Sequence, residues 1–312
     1  MELRQLRYFV GVCEAGSLLK ASTRLHVAQP ALGQQIAALE AEVGAALFLR
    51  SSRGMALTEA GRSFLEHARV VLADVERARQ AVRLASETPS GEVVIGLPTT
   101  TALSATVPIV QACQAQLPQV RLKVIEAYSG FLREWLQAGR LDWAILFGSQ
   151  AEPTLDKRAL LEEGLALITP AGGEPLPDAL PLARLADWPL VLPGREHGLR
   201  RTIDEACAPQ GVALQVVAEI DSLSSVKRAV ECGVGSTILP LVSVAEEVVA
   251  RRLQAATIDD AGMRRRVVLA TSVTRPVTPA CAAVMALAVE LIRQRVESGA
   301  WPGHWIGQEG GV

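Results

Sequence analysis

Residues 17–61 read SLLKASTRLHVAQPALGQQIAALEAEVGAALFLRSSRGMALTEAG, and how this stretch folds decides how the amino-terminal part of the chain is understood. Ser17 is placed to cap a helix, because a serine hydroxyl accepts from a backbone N–H two or three residues on. Leu18, Ala21, Ser22 and Leu25 then share one helical face. After His26-Val27-Ala28, Pro30 stands in the first turn of a second helix, where its missing N–H would be unpaired anyway. Leu32, Ile36, Leu39 and Val43 recur at spacings of four, three and four and form that helix's inward stripe. Gly44 is expected to end it in a left-handed conformation. Gln29, Ala31, Gly33, Gln34 and Gln35 are left toward solvent.

Two short helices joined by a tight turn, the second carrying polar side chains near its start, form a shape that fits the DNA major groove. Glutamine can pair bidentately with the N6 and N7 edge of adenine, and an alanine methyl can meet the methyl of thymine. Downstream, Arg50 and Arg53 bracket Ser51 and Ser52, Gly54 makes a turn, and Met55 to Leu57 resume an extended strand. This predicts a small hairpin, a wing, whose arginines reach phosphates or the minor groove. Leu32, Ile36, Leu39, Phe48 and Leu57 are expected in the core.

Taken in order, FVGVCEAGSLLKASTRLHVAQPALGQQIAALEAEVGAALFLR from Phe9, then RG and LTEAG, resembles the winged helix-turn-helix of LysR-type transcriptional regulators. The match spans about 60 positions, which is far more specific than any short motif. The AQPALxQQ variant followed by ALExE is similar to the subset that contains the nitrogen assimilation control protein. The family typically places Ser where Ala28 and Gly33 stand, and often Arg at Gln34, so this chain lacks one cap and two polar contacts. The resemblance implies a transcription regulator that meets DNA through Lys20, Arg24, Gln29, Pro30, Gln34, Gln35, Arg50 and Arg53. It also implies promoter DNA and RNA polymerase as partners, no cofactor, and a small-molecule effector, although some members work without one.

Charge bounds this reading. Met1 to Thr58 holds six Lys and Arg against four Glu, hence +2, while the whole chain is −2. A copy that neutralises roughly two to four phosphates binds weakly, so useful affinity needs several copies together, and a symmetric dimer reads an inverted repeat. Residues 59–88 supply the expected dimer element. Ala60, Phe64, Ala68, Val71, Val75, Ala78 and Val82 recur at three and four, and a helix of this length is expected to pair with its copy. The competing reading is a helix packed on its own domain. Within the family this helix dimerises the heads, and contacts between effector domains extend the assembly to a tetramer. Thr88-Pro89-Ser90-Gly91 then breaks the helix.

The rest of the chain alternates strand and helix, which predicts an α/β fold with a parallel sheet. Strands are expected at 92–97, 121–126, 143–147, 190–192, 215–219 and 267–273, and helices at 102–117, 130–138, 199–209, 222–232 and 279–296. Two lobes follow, 91–164 with 267–298 and 165–266, with 299–312 as a loose, glycine-rich tail. Ligands bind beyond the carboxyl ends of strands in such sheets, so a cleft between lobes is the expected site. Thr99, Thr100 and Thr101 follow the first strand, Tyr128 and Ser129 the second, and Pro193-Gly194-Arg195 lie in the second lobe. The threonines read equally well as helix caps. The effector domain of LysR-type proteins resembles a two-lobed periplasmic solute-binding protein, and its ligands sit at positions matching Thr100 and Ser129. Phe147, Arg195, His197 and Ile238-Leu239-Pro240 are further candidates.

Five widely spaced cysteines without C-x-x-C argue against a disulfide framework or zinc site, and four scattered histidines assemble no metal constellation. In the family a cysteine pair can sense peroxide, a role that Cys207 and Cys232 could mimic. Met1 to Arg7 has no apolar segment of a signal peptide, and no apolar run suits a membrane span, so a cytoplasmic protein is expected. Neither G-x-S-x-G, a P-loop nor G-x-G-x-x-G is present, which speaks against catalysis. The alternative function is a small-molecule-binding or interaction protein whose DNA-binding head has degenerated.

Overall fold

The computed structural model describes every residue except 52, 53, 84–88, 149, 174 and 308–312. The chain divides into two compact units, Met1–Ser86 and Glu87–Val312.

The first unit begins with helices α1 (Leu3–Ala15), α2 (Leu18–Leu25) and α3 (Gln29–Val43). Strands β1 (Phe48–Ser51) and β2 (Gly54–Leu57) form a hairpin, and α4 (Glu59–Arg83) follows. Phe9, Leu32, Ile36, Leu39, Leu47 and Phe48 make the core, where the Phe9 ring meets Phe48 and Phe64 at 5.2 and 5.1 Å. Gly44 ends α3 at φ 74°, as its position predicts. Two expectations fail at helix ends. Ser17 sits at the N-cap of α2 in extended conformation, but its hydroxyl makes no cap bond. Val43 is 39% exposed as the last residue of α3 before Gly44. Leu57 is half-buried rather than core.

The apolar positions of α4 do two jobs. Phe64, Leu65, Ala68 and Leu72 pack on the head, while Ala60, Val71 and Ala78 are exposed and Val75 is half-buried. The repeat read as one stripe is therefore divided between two faces, and one of them holds the helix to its own domain. Residues 84–88 of the expected linker, and the Val82 side chain, lie outside the described residues.

The second unit has β3 (Gly91–Leu97), α5 (Thr99–Gln116), β4 (Val120–Glu126), α6 (Ser129–Gln137), β5 (Trp143–Phe147) and the long β6 (Leu155–Pro170). After these come β7 (Ala179–Pro181), β8 (Pro189–Leu192), α7 (Gly198–Cys207), β9 (Gln215–Glu219), α8 (Leu223–Glu231), β10 (Thr237–Pro240) and α9 (Ala245–Val249). It closes with β11 (Leu253–Asp259), β12 (Arg264–Ser272), α10 (Pro279–Glu297) and β13 (His304–Trp305). Three apolar cores fill it among the described residues: one under β3, β5 and β12 with α5 and α10, one where α6 packs on β5 and β12, and one around the second half of β6 with β8, β10, β11 and α7.

The sheet is mixed rather than parallel. β3 is parallel to β4 and β5, but β12 runs antiparallel to both β5 and β6, and β10 and β11 run antiparallel to β6. Strand β6 pairs with β12 through its first half and with β10 and β11 through its second, so one strand serves both lobes. The expected loose tail is also corrected over its described part, residues 308–312 lying outside the described residues. Trp301 is fully buried in the first lobe's core, and His304–Trp305 pair with Glu162 and Leu161 of β6. Glycines predicted looseness there, but the indole's apolar area outweighs their entropy cost. Among the described residues no helix is long and apolar enough to cross a membrane.

Candidate functional sites

In the first unit, α2 ends at His26 in the left-handed region, φ 54°, and the Val27 N–H donates to the Ser22 carbonyl at 3.0 Å. This turn delivers the chain to α3 with Ala28 as N-cap, so no side chain occupies the first-turn N–H groups. Gln29, Pro30, Ala31 and Gln34 are exposed and Gln35 is half-buried on this end of α3. Lys20 is exposed on α2, and Arg24 pairs with Glu14 at 3.3 Å. An exposed pair of this kind is worth at most ~1 kcal/mol, so a phosphate can displace the carboxylate.

The wing is tied to the helix bundle through both strands, the Phe48 N–H of β1 donating to Glu40 Oε1 of α3 at 3.0 Å. The Met55 N–H donates to the Gly16 carbonyl at 3.0 Å, and Gly54, φ 123°, lets the chains approach so closely that a Cβ there would lie 2.6 Å from Gly16 O. Arg50 lies on β1 opposite Met55. Its side chain, and all of Arg53, lie outside the described residues.

In the second unit, a cavity of about 50 Å³ lies between the lobes at the carboxyl ends of β3, β4, β5, β8 and β9. It opens on a groove of about 520 Å³ with which it shares Thr99, Ala127, Tyr128, Asp221 and Leu223. Of the residues singled out from the sequence, Thr99, Thr100, Ser129, Phe147, His197 and Leu239 line the cavity, as does Tyr128. Thr101 and Arg195 do not. Thr101 is buried in the first lobe, its Oγ1 without a partner, and Arg195 faces a different, open surface beside Arg200 and Glu219. Helix α5 starts at Thr99, with Pro98 as N-cap, three residues before the expected start. The threonines therefore occupy its first turn and are not caps.

Arg265 and Thr237 line the cavity too, and sequence reasoning missed both. The Arg265 Nε donates to Glu163 Oε1 at 2.7 Å, its Nη2 donates to Thr100 Oγ1 at 2.8 Å, and its Cζ lies 3.6 Å from the Phe147 ring centre. The signal was present in Arg264-Arg265-Arg266 and Glu162-Glu163. In adjacent strands with alternating sides, Arg264 and Arg266 pair with Glu162 toward solvent, while Arg265 pairs with the 1% exposed Glu163 inside. Finding it required recognising β6 as a strand. Thr237 is fully buried and its Oγ1 has no hydrogen-bond partner. Such an atom costs ~1–3 kcal/mol unless a ligand or water satisfies it.

His197 caps α7, its Nδ1 accepting from the Leu199 N–H at 3.1 Å, and its ring meets Tyr128 edge-on at 4.7 Å. Burial holds its pKa below the ordinary 6.5, helped by the Arg265 and Arg201 charges and opposed by Asp221. The folded state thus prefers neutral His197. Its contribution to stability is complete above the unfolded value and drains as pH falls through the lower folded value. We expect the second unit's melting temperature to fall as pH is lowered through and below the ordinary 6.5, and His197→Asn, which keeps a capping acceptor, to reduce that dependence. An unchanged pH profile in the variant would remove His197 from the account.

The five cysteines are free thiols in different settings. Cys207 is buried in α7, and burial pushes its thiol up to about 11, whereas Cys232 is exposed on α8's end.

Compared with known proteins, residues 3–62 match the bacterial regulatory helix-turn-helix protein, lysR family, and residues 86–293 match the LysR substrate binding domain. The chain belongs to the LysR family. This LysR-type protein is a DNA-binding transcriptional regulator with an effector-binding domain. It is 37% identical over 242 residues to the nitrogen assimilation regulatory protein nac of Klebsiella aerogenes, covering 77% of this chain and 78% of that one. It is 31% identical over 307 residues to the HTH-type transcriptional regulator BbuR of Bordetella bronchiseptica, covering 96% and 92%. Among solved structures, the LysR-type chain is similar to the Corynebacterium glutamicum OxyR C206 mutant, with TM-score 0.62, 25% identity and coverage of 96% and 94%. It also shares its fold with full-length CbnR complexed with target DNA, at TM-score 0.68, 24% identity and coverage of 94% and 99%.

Proposed function

We propose that this regulator binds an inverted repeat in promoter DNA as a dimer or tetramer and is controlled by a small anionic effector held in the cavity between its lobes. The exposed amides on the first turns of α3 carry the DNA half of this reading. Gln29 and Gln34 read base edges with Gln35 beside them, Pro30 sets the helix start, and Lys20, Arg24, Arg50 and Arg53 meet phosphates. The exposed face of α4, Ala60, Val71 and Ala78, is the pairing surface between heads. CbnR, which shares the fold, was solved with its target DNA, which supports the assignment of the head.

For the effector, the carrying observation is Arg265 beside Thr99, Thr100 and Ser129 of two helix starts, with unpartnered Thr237 in the same wall. A cation, first-turn N–H groups and hydroxyls together favour an anion. The chain's role is recognition rather than catalysis, in a cytoplasmic compartment that keeps its five cysteines free.

The test is fluorescence anisotropy of the full chain on duplexes from upstream of its own and neighbouring genes, at two salt concentrations with unrelated competitor. Specific binding should survive competitor. Gln29→Ala should lose about 1–3 kcal/mol of discrimination at one position of a mutated-site panel, with little change in salt slope. Equal, salt-sensitive binding to every duplex would instead support a degenerate head.

A further inference from the structure

Residues 301–307 of the expected loose tail are built into the wall behind the cavity. The segment is strapped to β6: the Ile306 and Gly307 N–H groups donate to the Leu160 carbonyl at 2.9 and 3.0 Å. At Gly303 a Cβ would lie 2.9 Å from Glu162 O, so the backbones touch. The strap holds Trp301, fully buried, with its Nε1–H donating to Glu163 Oε2 at 2.7 Å.

That bond governs the neighbouring pair. A carboxylate facing a guanidinium ordinarily takes two parallel N–H groups. Here Oε2 is engaged by the indole, and Arg265 gives Glu163 a single hydrogen bond through Nε. Its Nη2 reaches Thr100, and among the described residues Nη1 has no protein partner. The rigid indole thus keeps the guanidinium turned along the cavity wall over Phe147, with donors to spare.

We propose that Trp301 is a positioning residue for effector recognition: by occupying Oε2 of Glu163 it denies that oxygen to Arg265 and leaves guanidinium N–H groups for an anionic group of the effector. This rests on reading the cavity as the effector site, and it makes the carboxy-terminal segment part of that site.

The probe is sodium acetate, a carboxylate small enough for the cavity, with acetamide as its neutral counterpart at matched ionic strength. Both are titrated into full-length protein labelled with ¹⁵N at its indoles, the Trp301 signal being assigned by elimination from Phe variants of Trp135, Trp143, Trp188 and Trp305 as well as from Trp301→Phe. Acetate, and not acetamide, should move the Trp301 signal. Acetate binding should be lost in Arg265→Gln and weakened about fivefold or more in Trp301→Phe, while weak acetamide binding is unchanged. A purely structural tryptophan would not alter that discrimination. Arg265-dependent acetate binding that leaves the Trp301 signal still and survives Trp301→Phe overturns the positioning role and keeps the effector reading. No acetate binding to the unaltered protein overturns both. If either variant fails to fold, the wild-type indole titration decides between these outcomes.

Discussion

Arg265→Ala is expected to destabilise the second unit by about 3–5 kcal/mol, because it leaves a buried carboxylate without its counter-charge. Glu163 is 1% exposed and would retain only the Trp301 N–H. Its choices are to stay charged in a low-dielectric site or to take up a proton, and both cost free energy. For a unit of this size the loss lowers the melting temperature by roughly 6–20 °C. The magnitude belongs to the broken pair and not to the intact pair's own strength. Removing both charges with shape kept, as in Glu163→Leu with Arg265→Met, should therefore recover part of the stability, the remaining loss being the buried Trp301 N–H left without its acceptor. Differential scanning calorimetry of the two variants checks this. A single variant that melts like wild type, or a double variant no better than the single, would mean that water reaches Glu163.

Gly61→Ala is expected to destabilise the head, although alanine is the better helix former. On propensity alone the change stabilises by about 1 kcal/mol. At Gly61, however, the new Cβ would lie 2.1 Å from the carbonyl oxygen of Leu47 and 3.0 Å from its carbon. Backbone cannot rotate aside as a side chain can, and that carbonyl also accepts the Thr58 N–H at 3.1 Å. Overpacking of this kind costs ~1–3 kcal/mol or more, and α4 must lift off the bundle that Phe64 and Ala68 fill. We expect a net loss of about 2 kcal/mol, roughly 8–16 °C for a unit of this size, with DNA binding lost at correspondingly lower temperature. Gly33 in α3 is the control. A Cβ there meets nothing within 4 Å, so Gly33→Ala should stabilise by up to about 1 kcal/mol. Melting of both variants tests the sign, and a stabilised Gly61→Ala head would show that the helix shifts at little cost.

The first unit was largely legible in the sequence because its signals are local. A proline in the first turn, a stripe at spacings of three and four and a glycine at the C-cap each act within one or two turns of helix. Where reading failed in the head, at Ser17 and Val43, the residue type was compatible with the expected role but no partner lay within reach. Strands β3, β5 and β9 and helices α6, α7, α8 and α10 were legible for the same local reason.

What the sequence by itself determined was the identity and order of these elements, the exposed amides of α3, and the threonine and serine that follow the first strands of the second unit. Only the tertiary structure decided that Arg265, 165 residues from Thr100, shares a hydrogen bond with it, that Glu163 faces inward, and that Trp301 closes the wall behind both. Each depends on which strands pair and in what register. A shift of one residue in β12 would turn Arg265 to solvent and bring Arg264 or Arg266 inward in a different register against Glu163 and Thr100. Register is set by burial summed over the whole sheet, and no short window of sequence carries that sum.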